Sequence, residues 1–261
     1  MPSDDLLTVT GLTQQFGGVK AVDNCDYVLQ KGRLAAVIGP NGAGKSTLVN
    51  LIAGALPLQQ GSVRLDGVEI GGWPAYKIAQ HGVIRTFQVA RGFDKLTVLE
   101  NMMVAPLDQP GESLFNAVVR PGRGKAAEVK QVARALEFLN MFELYRLRNE
   151  YAGELSGGQR RLLELARALM GGPKLLLLDE PMAAISPVLV ERIGQHLLQM
   201  QRLGITMLLV EHNLGVVEKF CDWVTVMVEG RAVVSGTMAQ VREHPEVISA
   251  YLGREVVSAT G

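Results

Sequence analysis

The chain has 261 residues, enough for one large domain or two lobes with a real core. Lys+Arg and Asp+Glu both number 26, so the formal net charge is zero and no overall field draws the molecule to nucleic acid or anionic lipid. Cys25 and Cys221 lack disulfide or metal spacing and read as reduced thiols; the acidic opening MPSDDLLTVT lacks a signal peptide's basic start, and no apolar run nears the ~18 residues that span a bilayer.

In chain order, LLTVT (6–10) and CDYVLQ (25–30) are short β-rich runs between turn residues. LAAVIG (34–39) is wholly apolar and runs into GPNGAGKST (39–47), followed by the helical pattern TLVNLIAG. SVRLDG (62–67) is a third short strand and completes the pattern of an antiparallel sheet. The stretch 106–125 is rich in Pro and Gly and reads as an irregular connection within a mainly helical region. Val129, Val132, Leu136 and Leu139 then repeat at helical spacing, as do Val190, Ile193, Leu197 and Met200 further on. Both stripes are expected to be core. LSGGQ (155–159) opens the helix-forming run RRLLELARAL. The runs KLLLLDE (174–180) and ITMLLVEH (205–212) are continuously apolar, like 34–39, and suit a parallel sheet covered on both faces. The tail after Gly253 is expected to fray.

The densest chemistry lies in Gly39, Pro40, Asn41, Gly42, Ala43, Gly44, Lys45, Ser46 and Thr47. Gly39, Gly44, Lys45 and Ser46 match G-x-x-x-x-G-K-[ST], set between a strand and a helix as that motif requires. The glycines let backbone N–H groups wrap an oxyanion, Lys45 supplies a point charge to β- and γ-phosphates, and the Ser46 hydroxyl is a hard ligand for Mg²⁺. Asp179, ending the four-leucine strand, supplies the other acid of a metal site through its water shell. Glu180 diverges from it and is suited to polarise the water that attacks the γ-phosphate. His212 ends the next apolar strand and is placed to donate to that phosphate. His81, His196 and His244 have no such setting. In LSGGQ, Ser156, Gly157 and Gly158 offer donors at a helix start, where anions are attracted, but no cation.

With GPNGAGKST, LSGGQ, LLLLDEP and VEH in this order, nearly the whole chain resembles the ATP-binding subunits of ABC transporters. The resemblance implies an α/β fold: a P-loop NTPase core with a mainly parallel sheet, an N-terminal antiparallel β subdomain and an inserted α-helical subdomain. Residues 1–253 would form the single ATPase domain, with 1–87 and 161–253 as core, 88–160 as helical subdomain and 254–261 as a flexible tail. It implies ATP and Mg²⁺ as ligands, and head-to-tail pairing in which Ser156, Gly157, Gly158 and Gln159 close over ATP held by the partner copy. Gln88 in RTFQ resembles the glutamine that senses Mg²⁺ and the attacking water, and Phe16 the ring that stacks on adenine. Ser186 departs from the pattern, which usually has Asp or Asn there, and Met182 stands where a smaller or polar residue is usual.

Within the family, FGGVKAVDN, IRTFQ, SLFNAVVR and HPEVISAYLG look like the subunits of branched-chain amino acid importers. That likeness implies a peripheral subunit on the cytoplasmic face of the inner membrane, bound to permease subunits whose short helix docks at Val89–Phe93. It also implies a second ATP-binding subunit, a periplasmic solute-binding protein acting indirectly, and no nucleic acid. An exporter or lipid-transport ATPase shares the same catalytic motifs and stays open. A DNA- or ribosome-acting relative is disfavoured, because no sustained heptads and no second cassette are present.

Overall fold

The computed structural model describes residues 4–86, 93–105 and 121–249, with backbone alone for 121–127. The chain divides into two compact units, Met1–Arg85 with Lys174–Gly261, and Thr86–Pro173. Gln88, Val89–Gly92, the SLFNAVVR run and the tail 254–261 lie outside the described residues.

The strands are β1 Asp5–Phe16, β2 Val19–Gln30, β3 Leu34–Ile38, β4 Gln60–Leu65, β5 Val68–Glu69, β6 Val83–Arg85, β7 Leu175–Asp179, β8 Thr206–Val210, β9 Trp223–Val228 and β10 Arg231–Gly236. An antiparallel sheet runs in the order β2-β1-β4-β5. A second sheet runs β10-β9-β3-β8-β7-β6, parallel throughout except for the β9–β10 hairpin. The α/β architecture read from the sequence is the one found. Every residue of β3, β7 and β8 is buried, which is why these runs carry no polar alternation. The β9–β10 hairpin was not foreseen. Its two-residue turn, Glu229 and Gly230, has φ of 48° and 81°, the left-handed pair that matches strand twist.

The helices of this unit are α1 Lys45–Ile52, α2 Ala75–His81, α6 Pro187–Arg202, α7 Leu214–Phe220 and α8 Met238–Arg242; the other unit contributes α3 Val98–Met103, α4 Pro121–Met141 and α5 Gly157–Met170. In α6 the predicted stripe is fully buried at Ile193, Leu197 and Met200, while Val190 at its start is half-buried. In α4 it holds only at the C-terminal end. Leu139 is buried with Ala135, but Val129 is 69% exposed. The buried face is centred on the i, i+4 pair Ala135–Leu139 and continues into Phe142.

Asn101 organises the second unit. Its side chain is fully buried, donates to the carbonyls of Phe93, Leu96 and Thr97, and accepts from the amide of Phe93 at 2.9 Å. Thr97 caps α3 in a reciprocal box with Glu100, which fixes the turn that Asn101 threads.

Candidate nucleotide-binding site

Three parallel strands deliver their chemistry at the same edge of the sheet. β3 leads into the glycine loop, β7 ends on Asp179 and Glu180, and β8 between them leads to Glu211 and His212. The carboxyl ends of parallel strands are where ligands gather in open α/β sheets.

The loop's shape is dictated by its glycines. At Gly39, with φ of 149°, a Cβ would sit 2.1 Å from the Met227 carbonyl oxygen; at Gly44, with φ of 95°, it would sit 2.2 Å from that of Ala21. Gly42 is also left-handed, at 81°, but its missing Cβ faces open space. Lys45 follows as the first residue of α1, buried, with Nζ donating to the carbonyls of Gly39 at 2.8 Å and Pro40 at 3.0 Å. Ala43 is buried; Ser46 and Asn41 are exposed and Thr47 half-buried. Phe16 ends β1 opposite Val19 and is 48% exposed. Ala21, on β2 of the same hairpin, has its carbonyl oxygen 2.2 Å from where a Cβ at Gly44 would sit.

Asp179 is 9% exposed and its Oδ2 accepts from Arg85 Nη2 at 2.9 Å. Glu180 has φ of 47°, a left-handed conformation that costs an L-residue roughly 1–2 kcal/mol. This kink turns the chain out of β7, held by Glu180 N donating to Val210 O at 2.9 Å. Glu180 Oε1 stands 3.6 Å from Nδ1 of the exposed His212.

Glu211 was not singled out in the sequence, yet it is 1% exposed. Burial pushes its carboxyl above the usual range, opposed by the Met182 amide, which donates to Oε1 at 3.2 Å. That bond anchors the loop after Glu180. The loop borders a cavity of about 420 Å³ that Glu211 and His212 also line. Ala184 in the same loop has φ of 56°, and Ser186 closes it by capping α6, its Oγ accepting from Leu189 N at 3.3 Å. Serine thus keeps the capping role that Asp or Asn also performs.

In the second unit, Ser156 and Gln159 form a reciprocal capping box at the start of α5. Gln159 Oε1 accepts from Ser156 N at 2.9 Å, and Ser156 Oγ accepts from Gln159 N at 3.3 Å. The amides of Gly157 and Gly158 open the helix with no acceptor inside it. Leu162, Leu165, Ala166 and Leu169 bury the opposite face.

Both cysteines are free; burial pushes the Cys25 thiol up to about 11 and that of Cys221 up to about 12, so both stay protonated and unreactive at neutral pH.

Residues 22–183, more than half of the chain, match the ABC transporter family model. The chain belongs to the ABC transporter family. It is the nucleotide-binding ATPase cassette of such a transporter. Residues 233–257 of the cassette also match the model of the branched-chain amino acid ATP-binding cassette transporter. The cassette is 36% identical over 250 residues to a probable branched-chain amino acid transport ATP-binding protein, LivG, of Archaeoglobus fulgidus, covering 96% of each chain. It superposes on the ADP conformation of an ATP-binding cassette of an ABC transporter with a TM-score of 0.81 and 34% identity, covering 96% of this chain and 100% of the other. A dimeric cassette in a post-hydrolysis state bound to ADP and Pi matches with a TM-score of 0.71 and 25% identity over 89% of this chain and 99% of that one. Among the described residues, no helix is long and apolar enough to cross a membrane.

Proposed function

We propose that this cassette powers an importer for branched-chain amino acids or a closely related small solute, by closing and reopening a dimer around ATP. The observation that carries the reading is the convergence of Lys45, Asp179, Glu180 and His212 at one edge of three neighbouring parallel strands.

At Gly39 and Gly44 a Cβ would strike backbone, so glycine there lets the loop curl with its amides free to wrap an oxyanion. In this reading Gly39–Thr47 wraps the phosphates, Lys45 sits against the β- and γ-oxygens, and Phe16 supports the adenine face. Ser46, Asp179 and Gln88 are a hard-oxygen donor set suited to Mg²⁺, which, when bound, neutralises charge on the transferring phosphoryl group. Glu180 accepts the proton of the attacking water. His212, beside it, steadies that carboxylate and donates to the γ-phosphate. Ser156, Gly157, Gly158 and Gln159 of a second cassette cap the γ-phosphate from the other side, their helix-start amides supplying donors where Lys45 supplies charge.

Contact with the γ-phosphate exists only before hydrolysis, so its loss reopens the pair; the cycle is a population shift set by ATP against ADP. The helical unit passes this motion to membrane permease subunits, which hold the cassette peripherally on the cytoplasmic face. A periplasmic solute-binding protein feeds the permease. The C-terminal match at 233–257 and the LivG relative support the amino acid class of cargo.

The test is Glu180→Gln. With ATP and Mg²⁺ this variant is expected to lose hydrolysis and run as a dimer in sizing columns and beside its permease, while Lys45→Ala loses nucleotide binding. Parent-rate hydrolysis by Glu180→Gln, or a persistent monomer with ATP bound, overturns the reading.

A further inference from the structure

We propose that Arg85 is a positioning residue of the metal site, fixing the metal-side carboxylate of Asp179 to the helix that follows the phosphate loop. The inference rests on the reading that Asp179 faces Mg²⁺.

Arg85 is the last residue of β6, beside β7 in parallel register, with Arg85 opposite Leu177. Its guanidinium reaches along the carboxyl edge of the sheet and divides between two elements. Nη2 donates to Asp179 Oδ2 at 2.9 Å, and Nη1 donates to Asn50 Oδ1. Asn50 lies on α1, one turn beyond Ser46. One side chain therefore ties together the strand that ends in the metal's acid and the helix that bears the metal's hydroxyl ligand. Both ends of the ion pair are largely shielded, with side-chain exposures of 18% and 12%. Nε is buried with no partner among the described residues, so the two Nη bonds carry the polar anchoring of this guanidinium.

The geometry explains the residue type. A carboxylate that must hold a metal's water needs one oxygen fixed and the other left available. Arg85 takes Oδ2 and leaves Oδ1. A planar fork satisfies two acceptors on two elements at once; a lysine ammonium keeps the charge but is a single point on a shorter reach. Arg85→Lys therefore separates position from charge. If charge alone mattered, lysine would serve.

Fluorescent ATP-analogue binding to the full chain, titrated with Mg²⁺ and repeated in EDTA, reads the effect directly. Arg85→Lys is expected to raise the Mg²⁺ concentration at half-saturation about ten-fold, the low end for residues that orient metal ligands, while affinity in EDTA stays within about two-fold. Asn50→Ala is expected to shift the Mg²⁺ curve the same way by less. The double variant is expected to add little to Arg85→Lys, because both changes break one bridge. The proposal is overturned if Arg85→Lys leaves the Mg²⁺ curve in place, or if affinity in EDTA falls as far as in Mg²⁺, which would make Arg85 a scaffold of the loop as a whole. If Arg85→Lys does not fold, Asn50→Ala decides. Asp179→Asn separates the two layers. If it leaves the Mg²⁺ curve unmoved, the metal assignment falls and this role falls with it; if it shifts the curve and Arg85→Lys does not, only the role of Arg85 falls.

Discussion

Gly42 and Gly44 make a matched pair for testing what shapes the phosphate loop. Both are left-handed, with φ of 81° and 95°, and both stand before Lys45. They differ in what an added methyl meets. At Gly42 there is nothing within 4 Å; at Gly44 the Ala21 carbonyl oxygen lies 2.2 Å away and the Gly230 Cα 3.3 Å away. Gly42→Ala therefore bears only the cost of an L-residue in the left-handed region, roughly 1–2 kcal/mol. For a chain of this size that lowers the melting temperature by roughly 2–8 °C. Gly44→Ala bears the same strain and must also push backbone away from backbone, adding roughly 1–3 kcal/mol of overpacking. Urea titration without nucleotide, with midpoints compared at equal slopes, isolates the difference. Equal midpoints for the two variants, or a lower one for Gly42→Ala, would refute the argument that contact with the β2 strand, rather than backbone angle alone, demands glycine at 44.

Glu180→Gly should melt above Glu180→Gln, because only glycine relieves the left-handed strain at φ of 47°; net of glycine's own entropy the gain is about 0.5–1 kcal/mol. Both variants should be equally dead as ATPases. Asn101→Ala should destabilise the helical unit by about 2–4 kcal/mol, since it strands the Phe93 amide and three carbonyls together, and hydrogen exchange over 93–105 would report it. Glu211 has a folded pKa above its unfolded 4.5, so the native state holds the proton longer and stability is lost as pH rises from 4.5 through the folded value. Glu211→Gln should remove that loss, so its stability relative to the parent should climb with pH across that window; parallel stability–pH curves would contradict this. Ser186→Asp keeps the cap on α6 and should leave ATP affinity and melting near the parent values while changing the cooperativity of ATP hydrolysis. Unchanged cooperativity in a steady-state assay would count against a role of that loop between two sites.

The parallel core was legible because its strands, buried on both faces, are written as unbroken apolar runs. The loop at 39–47 was legible because glycine spacing and a lysine at a helix start are local facts. Arg85 and Glu211 were not. A single charged residue at a strand end looks the same whether it meets water or, as here, a carboxylate from β7 or an amide from the following loop. Val129 misled for the opposite reason. Helical spacing reports which residues share a face, but how far along the helix a neighbour covers that face is a tertiary matter. The β9–β10 turn was missed because Glu-Gly is a weaker hairpin signal than Asn-Gly or Asp-Gly.

In the proposed pairing, the capping box at Ser156 and Gln159 bears on how two cassettes would meet. A helix start that closes on itself is already ordered when the chain folds, so docking against it resembles pressing a stamp rather than moulding clay. Association through this surface is then expected to be a single bimolecular phase whose rate scales with protein concentration, with no slow unimolecular step arising from the turn at 155–159.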